Sequence, residues 1–313
     1  MKPRDQPEAA RLTAALEEYE RRHEPLPGIA AAPSRAVLIE QVIESERRNE
    51  YIQRLRFVDL AVSGADPHSQ GFDPLKAAIV QQRRGNFDEA CWMVFLYVHF
   101  GKHLRAQWRY ARDVYGKLDQ GGSWGWQEIT SDVDGFRKWL TDNQPTLLRR
   151  DEPRGFGNHR KYESLDGWSS NGTGEVVATY VDWVISQGGH TELFKSATSG
   201  RSPEAAFSTL YRSMDRVQRF GRTARFDYLS LIAKLELAEI KAGHPYLVNS
   251  TGPLTAARML FGSSLKGPSA LSARDLEALL VTLNNHLLIA FDVIEDALCN
   301  WQKSPTVFRP FRG

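Results

Sequence analysis

Cysteine is scarce in this chain of 313 residues: Cys91 and Cys299 are the only two. A single distant pair cannot make a disulfide framework, and no CxxC pair is present to hold a metal or exchange thiols. Both stand within apolar helical patterns, where a buried thiol in a reducing compartment is ordinary. Long hydrophobic runs are missing as well. Nothing approaches the ~18 uninterrupted apolar residues of a membrane span, and Met1 to Glu24 is charged throughout, without the apolar centre of a secretory signal. A cytoplasmic protein with no membrane partner is expected. Nor does one sign of charge dominate: 40 Lys and Arg face 38 Asp and Glu, a formal net charge of +2. Affinity for nucleic acid must therefore come from local clusters of basic residues.

Several chemical signatures are absent too. There is no GxxxxGK[ST], GxGxxG or GxSxG, so phosphate-loop hydrolases, dinucleotide enzymes and elbow-type hydrolases lose support. His99 and His103 stand four apart with no third partner at ligand spacing, so neither a metal nor another cofactor is expected. Alternating strand patterns never exceed four residues.

What remains is helical periodicity, and an all-α fold is expected. Ala9 to Arg22 is a charged amphipathic stretch, and a Pro- and Ala-rich loop follows from Pro25 to Pro33. A helix is expected from Ser34 to about Leu60, then a turn-rich break from Ser63 to Gly71. Phe87 to Phe100 is apolar nearly all round, the mark of a buried helix, and Arg105 to Tyr115 continues as helix. Gly116 to Trp168 is the least regular part, with a short helix near Asp134 to Leu140 and a polar loop from Pro153 to Leu165. Thr173 to Ser186 reads as a helix with Glu175 in its first turn. Helices then follow over Pro203–Arg219, Ala224–Lys241, Pro253–Phe261, Ser272–Leu280 and Leu283–Gln302. The expected parts are 1–33, 34–165 and 166–313, with a boundary between about 165 and 200 if the chain divides.

Three constellations could carry chemistry. The first is the segment from Val248 to Arg258, read as a hairpin after a helix ending near Lys241. Gly252 permits tight backbone, and the free N–H groups around Thr251 and Gly252 could hold a phosphate, with Arg258 beyond them. Pro253 after Thr251-Gly252 is also an ordinary helix start. The second is Phe207 to Leu229, where Arg212, Arg216, Arg219, Arg222 and Arg225 face only Asp215 and Asp227 among acids. Arg212, Arg216 and Arg219 are expected on one helical face. Guanidinium forks suit phosphate or diphosphate oxygens, although a solvated face with weak local ion pairs has the same pattern. The third is the last long helix, with Glu295, Asp296 and Lys303 in an otherwise apolar run. Beside these, Asn158, His159, Arg160 and Lys161 form a basic, aromatic-flanked loop of the kind that meets a backbone or a base.

The strings YRSMDRVQR, STGPLTAARMLFG and EDALCNWQK resemble motifs of the α-glutamyl/putrescinyl thymine pyrophosphorylase family, clade 3. HFGKH, FGNHRKYESL and FGRTARFDYL add to the likeness, which runs from about Arg47 to the terminal FRG. Tyr211, Arg212, Asp215 and Arg216 fit a YRxxDR motif; Glu295, Leu298, Cys299 and Lys303 fit an ExxLCxxxK motif. The resemblance implies a helix-hairpin-helix DNA glycosylase-like bundle with additional N-terminal helices. It also implies work on hypermodified pyrimidines of bacteriophage DNA, either making or attacking them. Relatives of that glycosylase group place a carboxylate about twenty residues past the hairpin, where Asp275 stands. Asp275 can equally cap a helix with Ser272. Leu254 stands where lyase-competent members carry a lysine, so water is the expected nucleophile.

The expected activity is a monofunctional DNA glycosylase. It would flip a bulky modified pyrimidine, such as glucosylated hydroxymethylcytosine, out of double-stranded DNA and excise it as anti-phage defence. Asp275, Asp215 and Asp227 are its candidate carboxylates. Trp92, Trp124, Trp126 and Trp168 are candidate pocket walls, with burial in the core the ordinary alternative for Trp92. The rival enzyme is a transferase in which an amine displaces diphosphate from a hydroxymethylpyrimidine. A DNA-binding module without catalysis is the third reading.

Overall fold

The computed structural model describes residues 2–149, 153–264 and 270–310. The terminal FRG of the family likeness lies outside them. The chain is all-α: among the described residues there are fourteen α-helices and no strand, only two isolated bridges. First come α1 (Gln6–Arg22), α2 (Ala32–Leu55), α3 (Pro74–Arg83), α4 (Phe87–Phe100), α5 (Arg109–Tyr115), α6 (Trp126–Ser131) and α7 (Val133–Leu147). Then follow α8 (Thr173–Ile185), α9 (His190–Thr198), α10 (Pro203–Ser213), α11 (Arg222–Lys234), α12 (Gly252–Leu260), α13 (Ala273–Leu287) and α14 (Phe291–Trp301).

Four differences from the periodicity have local causes. α3 carries a plain start signal that pattern reading passed over. The Asp73 side chain accepts from the N–H of Leu75 at 3.0 Å and of Lys76 at 3.4 Å, with Pro74 at the first helical position. The helix expected over Pro203–Arg219 stops at Ser213. A 3-10 turn follows, and Arg219 takes a left-handed backbone (φ 57°) while Val217 and Phe220 turn inward to burial. Arg212, Arg216 and Arg219 therefore do not share a helical face.

The helix expected to reach Lys241 ends at Lys234. Glu236 is left-handed (φ 55°), and the Leu237 N–H reaches back to the Ile232 carbonyl at 3.0 Å, a Schellman closure. Residues 235–251 are then irregular, so no helix leads directly into the segment before α12. The last apolar run is broken as well. The Asn284 side chain bonds both the carbonyl (2.8 Å) and the N–H (3.2 Å) of Ile289, and Leu288 between them is left-handed (φ 53°).

The described residues fold as two compact units, one formed by residues 2–52 with residues from 242 onward, the other by residues from 53 to 241. The first has an aliphatic core, in which Leu12, Leu16, Leu26 and Ile29 meet Leu260, Leu276, Leu280 and Leu298. Each such fully buried side chain is worth about 1.5–3 kcal/mol. Close backbone approach matters here: a Cβ on Gly28 would lie 2.3 Å from the Met259 carbonyl oxygen. The second unit is packed largely with rings. Phe95 stacks on Tyr180 at 3.9 Å, on Trp92 at 5.1 Å and on Phe220 at 5.3 Å. The Trp92 indole N–H donates to the Trp124 carbonyl at 2.8 Å, which is how an indole is buried without an orphaned donor.

Candidate functional site

α11 is buried over most of its circumference, through Ala224, Phe226, Tyr228, Leu229, Leu231 and Ile232. Asp227 stands between buried Phe226 and Tyr228. Lys234 lies seven residues on, hence on the same helical face. The loop that meets Asp227 is built on glycine. Gly101, left-handed at φ 62°, ends α4, and a Cβ on Gly157 would stand 2.7 Å from the Gly101 carbonyl carbon. Only two glycines allow this approach, which the bond from the Gly157 N–H to the Phe100 carbonyl closes at 2.8 Å.

Arg160 leaves this loop with its guanidinium largely enclosed. Its Nε donates to the Val98 carbonyl at 2.8 Å, and its Nη2 stands 3.5 Å from Asp227 Oδ2 with 12% of the side chain exposed. Burial lowers its affinity for a proton, and the charges of Asp227 and Glu163 offset part of that. Asp227 presents two faces. Crowding by protein raises its carboxyl above the ordinary carboxylate range, against the opposing pull of Arg160, Arg222, His159 and Lys234. Yet 44% of its side chain is open to solvent. A carboxylate packed against Arg160 on one side and open to water on the other satisfies both. Such a group, perturbed but reachable, is the pattern of a functional site.

Beneath the loop, His99 is buried and neutral, its ionisation pushed down to about 3 by burial first and by Arg160 second. The Thr173 hydroxyl donates to the Ser164 carbonyl (2.7 Å), so it accepts from His99 Nε2 (3.0 Å) and fixes that tautomer. His103 instead accepts backbone N–H groups of Arg105 and Ala106. Among the described residues no cluster of three or more His, Cys, Asp or Glu could hold a metal.

The arginine segment divides its labour. Arg225 lies over the Tyr211 ring at 4.6 Å, bonds the Tyr211 carbonyl at 3.3 Å and pairs with Asp215, whose side chain is 73% exposed. Arg219 reaches the polar loop, with Nη2 3.2 Å from the Tyr162 carbonyl and Nε 3.3 Å from Glu163. Arg222 is buried over the Phe226 ring at 4.7 Å. Arg212 and Arg216 are exposed, and Arg216 touches Ser186 Oγ at 3.3 Å. Asn158, His159 and Lys161 stand exposed on the loop. The second unit thus gathers Asp227, Arg160, His159, Arg222 and Arg219 around one loop and one helix.

The remaining candidates fall in the first unit. Asp275 is the third residue of α13 and completes a capping box with Ser272; those hydrogen bonds hold its carboxyl below the ordinary value. Asp296 ties α14 to α2: its Oδ2 accepts from Ser45 Oγ at 2.7 Å and pairs with Arg48, while Oδ1 accepts from Asn300 at 2.9 Å. Lys303, exposed, bonds Asn300 Oδ1 at 3.1 Å, and Glu295 is half-buried on α14. Gly252 is the first residue of α12, where a Cβ would meet Cys299 Sγ at 3.0 Å, so its smallness serves helix packing. Thr251 is exposed and makes no side-chain cap, and Arg258 lies in the last turn of α12.

Trp92, Trp124 and Trp126 are buried, whereas Trp168 is 53% exposed under Arg137 at 4.5 Å. Sequence reasoning missed Lys234, which its spacing from Asp227 could have revealed. It also missed a chain that runs from half-exposed Asp88 into the buried centre of the second unit. Asp88 holds His190 Nδ1 at 2.7 Å, His190 Nε2 meets the Tyr180 hydroxyl at 2.8 Å, and Tyr180 meets Tyr228 at 3.0 Å. No local pattern links residues so far apart in sequence.

An all-α chain that sets a carboxylate among guanidinium groups has the makings of an anion-handling enzyme. The model of one family, α-glutamyl/putrescinyl thymine pyrophosphorylase clade 3, matches residues 33–313, and the chain belongs to that family. The family ties the chain to DNA base hypermodification and to enzymes acting on modified thymine. No match is found among curated proteins or among solved structures.

Proposed function

We propose that this chain modifies a pyrimidine in DNA by letting an amine displace diphosphate from the base's hydroxymethyl arm. The observation that carries this reading is the charge around Asp227: one solvent-reached carboxylate under the influence of Arg160, Arg222, His159 and Lys234. A unit charge ~5 Å away is worth about 3 kcal/mol at an effective dielectric near 20. Several cations against one carboxylate therefore attract a diphosphate and stabilise it as it departs. In the displacement the amine nitrogen forms a bond to the arm's carbon, and the carbon–oxygen bond breaks. Diphosphate leaves with the electron pair, and the ammonium proton passes to Asp227. A carboxyl raised above its ordinary range is the better base for that proton.

A glycosylase makes the opposite electrostatic demand, because the sugar left behind is cationic. Asp275 is committed to its helix cap and Asp215 to Arg225, and Asp227 already answers the positive charge of Arg160. The same balance weighs against excision and, with it, against a defence role. On either chemistry the partner would be double-stranded DNA, the target base would leave the stack, and Arg212, Arg216 and Lys161, all exposed, would meet its phosphates.

The test offers the full chain an oligonucleotide duplex carrying a 5-hydroxymethylpyrimidine diphosphate together with a diamine. Mass spectrometry of the DNA and an assay for released pyrophosphate then read the outcome. Pyrophosphate in step with an amine adduct is expected. Free base with alkali-labile strands instead would establish the glycosylase, and unchanged DNA bound tightly would leave only a binding module.

A further inference from the structure

Tyr162 is the second residue after Arg160, and its ring is 79% exposed. Its backbone is held from several sides. The Arg219 guanidinium bonds its carbonyl at 3.2 Å, the Glu163 N–H bonds the Arg160 carbonyl at 2.9 Å, and the Arg160 N–H bonds the Gly157 carbonyl at 2.8 Å. Arg160 is itself anchored to the Val98 carbonyl and beside Asp227. Beyond Glu163 the chain is fixed again, the Thr173 N–H bonding the Ser164 carbonyl at 2.8 Å. The backbone is thus held while the aromatic side chain is left bare to solvent. The charged groups around it are Lys161, whose Nζ lies 5.1 Å from the ring centre, and Arg219 on the neighbouring carbonyl, which also pairs with Glu163.

We propose that Tyr162 is a stacking platform for an unpaired base beside the nucleotide on which Asp227 acts. A rigid aromatic face with flanking positive charge is how proteins hold bases out of a helix: the ring takes the base and the cations take its phosphates. Partial loss of pairing next to a flipped base supplies such an unpaired neighbour. The inference rests on the reading that DNA is the substrate. It adds a residue that binds but moves no proton.

The test measures anisotropy of two dye-labelled duplexes, one fully paired and one with a single bulged thymine, with no amine or diphosphate present. The wild-type protein should prefer the bulged duplex. Tyr162→Ala should weaken binding to it about tenfold and abolish the preference. Tyr162→Trp should restore it, and all three proteins should melt at the same temperature. If Tyr162→Ala keeps the wild-type preference, or if Tyr162→Trp fails to rescue it, the inference falls. Should wild-type protein release pyrophosphate while Tyr162→Ala binds DNA normally, the stacking fails and the displacement stands. The reverse pattern, Tyr162-dependent binding without pyrophosphate, retains the stacking and removes the displacement.

Discussion

In the first unit, Asp275 and Asp296 are taken up by structure: one closes a helix start and the other joins α14 to Ser45 and Arg48. In the second unit, Asp227 is crowded, ringed by cations and still open to water. The cores differ in the same sense. Aliphatic side chains dominate the first, whereas the rings of the second carry polar edges that organise buried chains such as His190–Tyr180–Tyr228. What separates a structural carboxylate from a chemical one here is burial combined with access to solvent, since all three residues are aspartates on helices.

The largest effect that separates the units is expected from Asp227→Asn. Removing the base should cut product formation at least a hundredfold, measured as pyrophosphate released per folded molecule. The next is a pH effect. Burial raises the Asp227 carboxyl, so the base form is lost as pH falls through a value above the ordinary ~3.9 of aspartate. The acid limb of the rate profile should lie above that value. Arg160→Gln, which removes a cation favouring the charged form, should move it higher still. A limb that does not move would break the proposed link between Arg160 and Asp227.

Stability effects belong to the first unit. Asp296→Ala leaves Ser45 and Arg48 without their acceptor and should cost about 2 kcal/mol in urea unfolding, with turnover per folded molecule unchanged. Gly252→Ala should cost about 1 kcal/mol by pressing on Cys299 Sγ. Adding Cys299→Ala to the same chain should recover most of that loss. The smallest effect is at Asp275. Its lowered carboxyl stabilises the α13 cap above its unfolded value of 3.8, and that stability fades as pH falls through the folded value. Asp275→Ala should flatten the acid end of the melting profile and leave activity alone.

Much of this was legible in sequence because it was local. The buried helix Phe87–Phe100, the Ser272–Asp275 cap and the density of arginine between 212 and 225 all show within a few residues. The loop Asn158–Lys161 also stood out by its chemistry. What the sequence hid was set by distant partners. Val217 and Phe220 fold inward and end α10 early, which dissolves the arginine face. Asn284 breaks an apolar run through two bonds to Ile289. The first unit is assembled from both ends of the chain, a pairing for which no local signal exists. Among three candidate aspartates, only tertiary surroundings distinguish Asp227, since charge at a distance leaves no periodic trace.

The most direct test compares Asp215→Asn, Asp227→Asn and Asp275→Asn on the diphosphate-bearing duplex with amine, reading pyrophosphate and adduct together. The account predicts that only Asp227→Asn stops both products. Loss of both in Asp275→Asn with Asp227→Asn fully active, or abasic DNA from any of the active proteins, would contradict it.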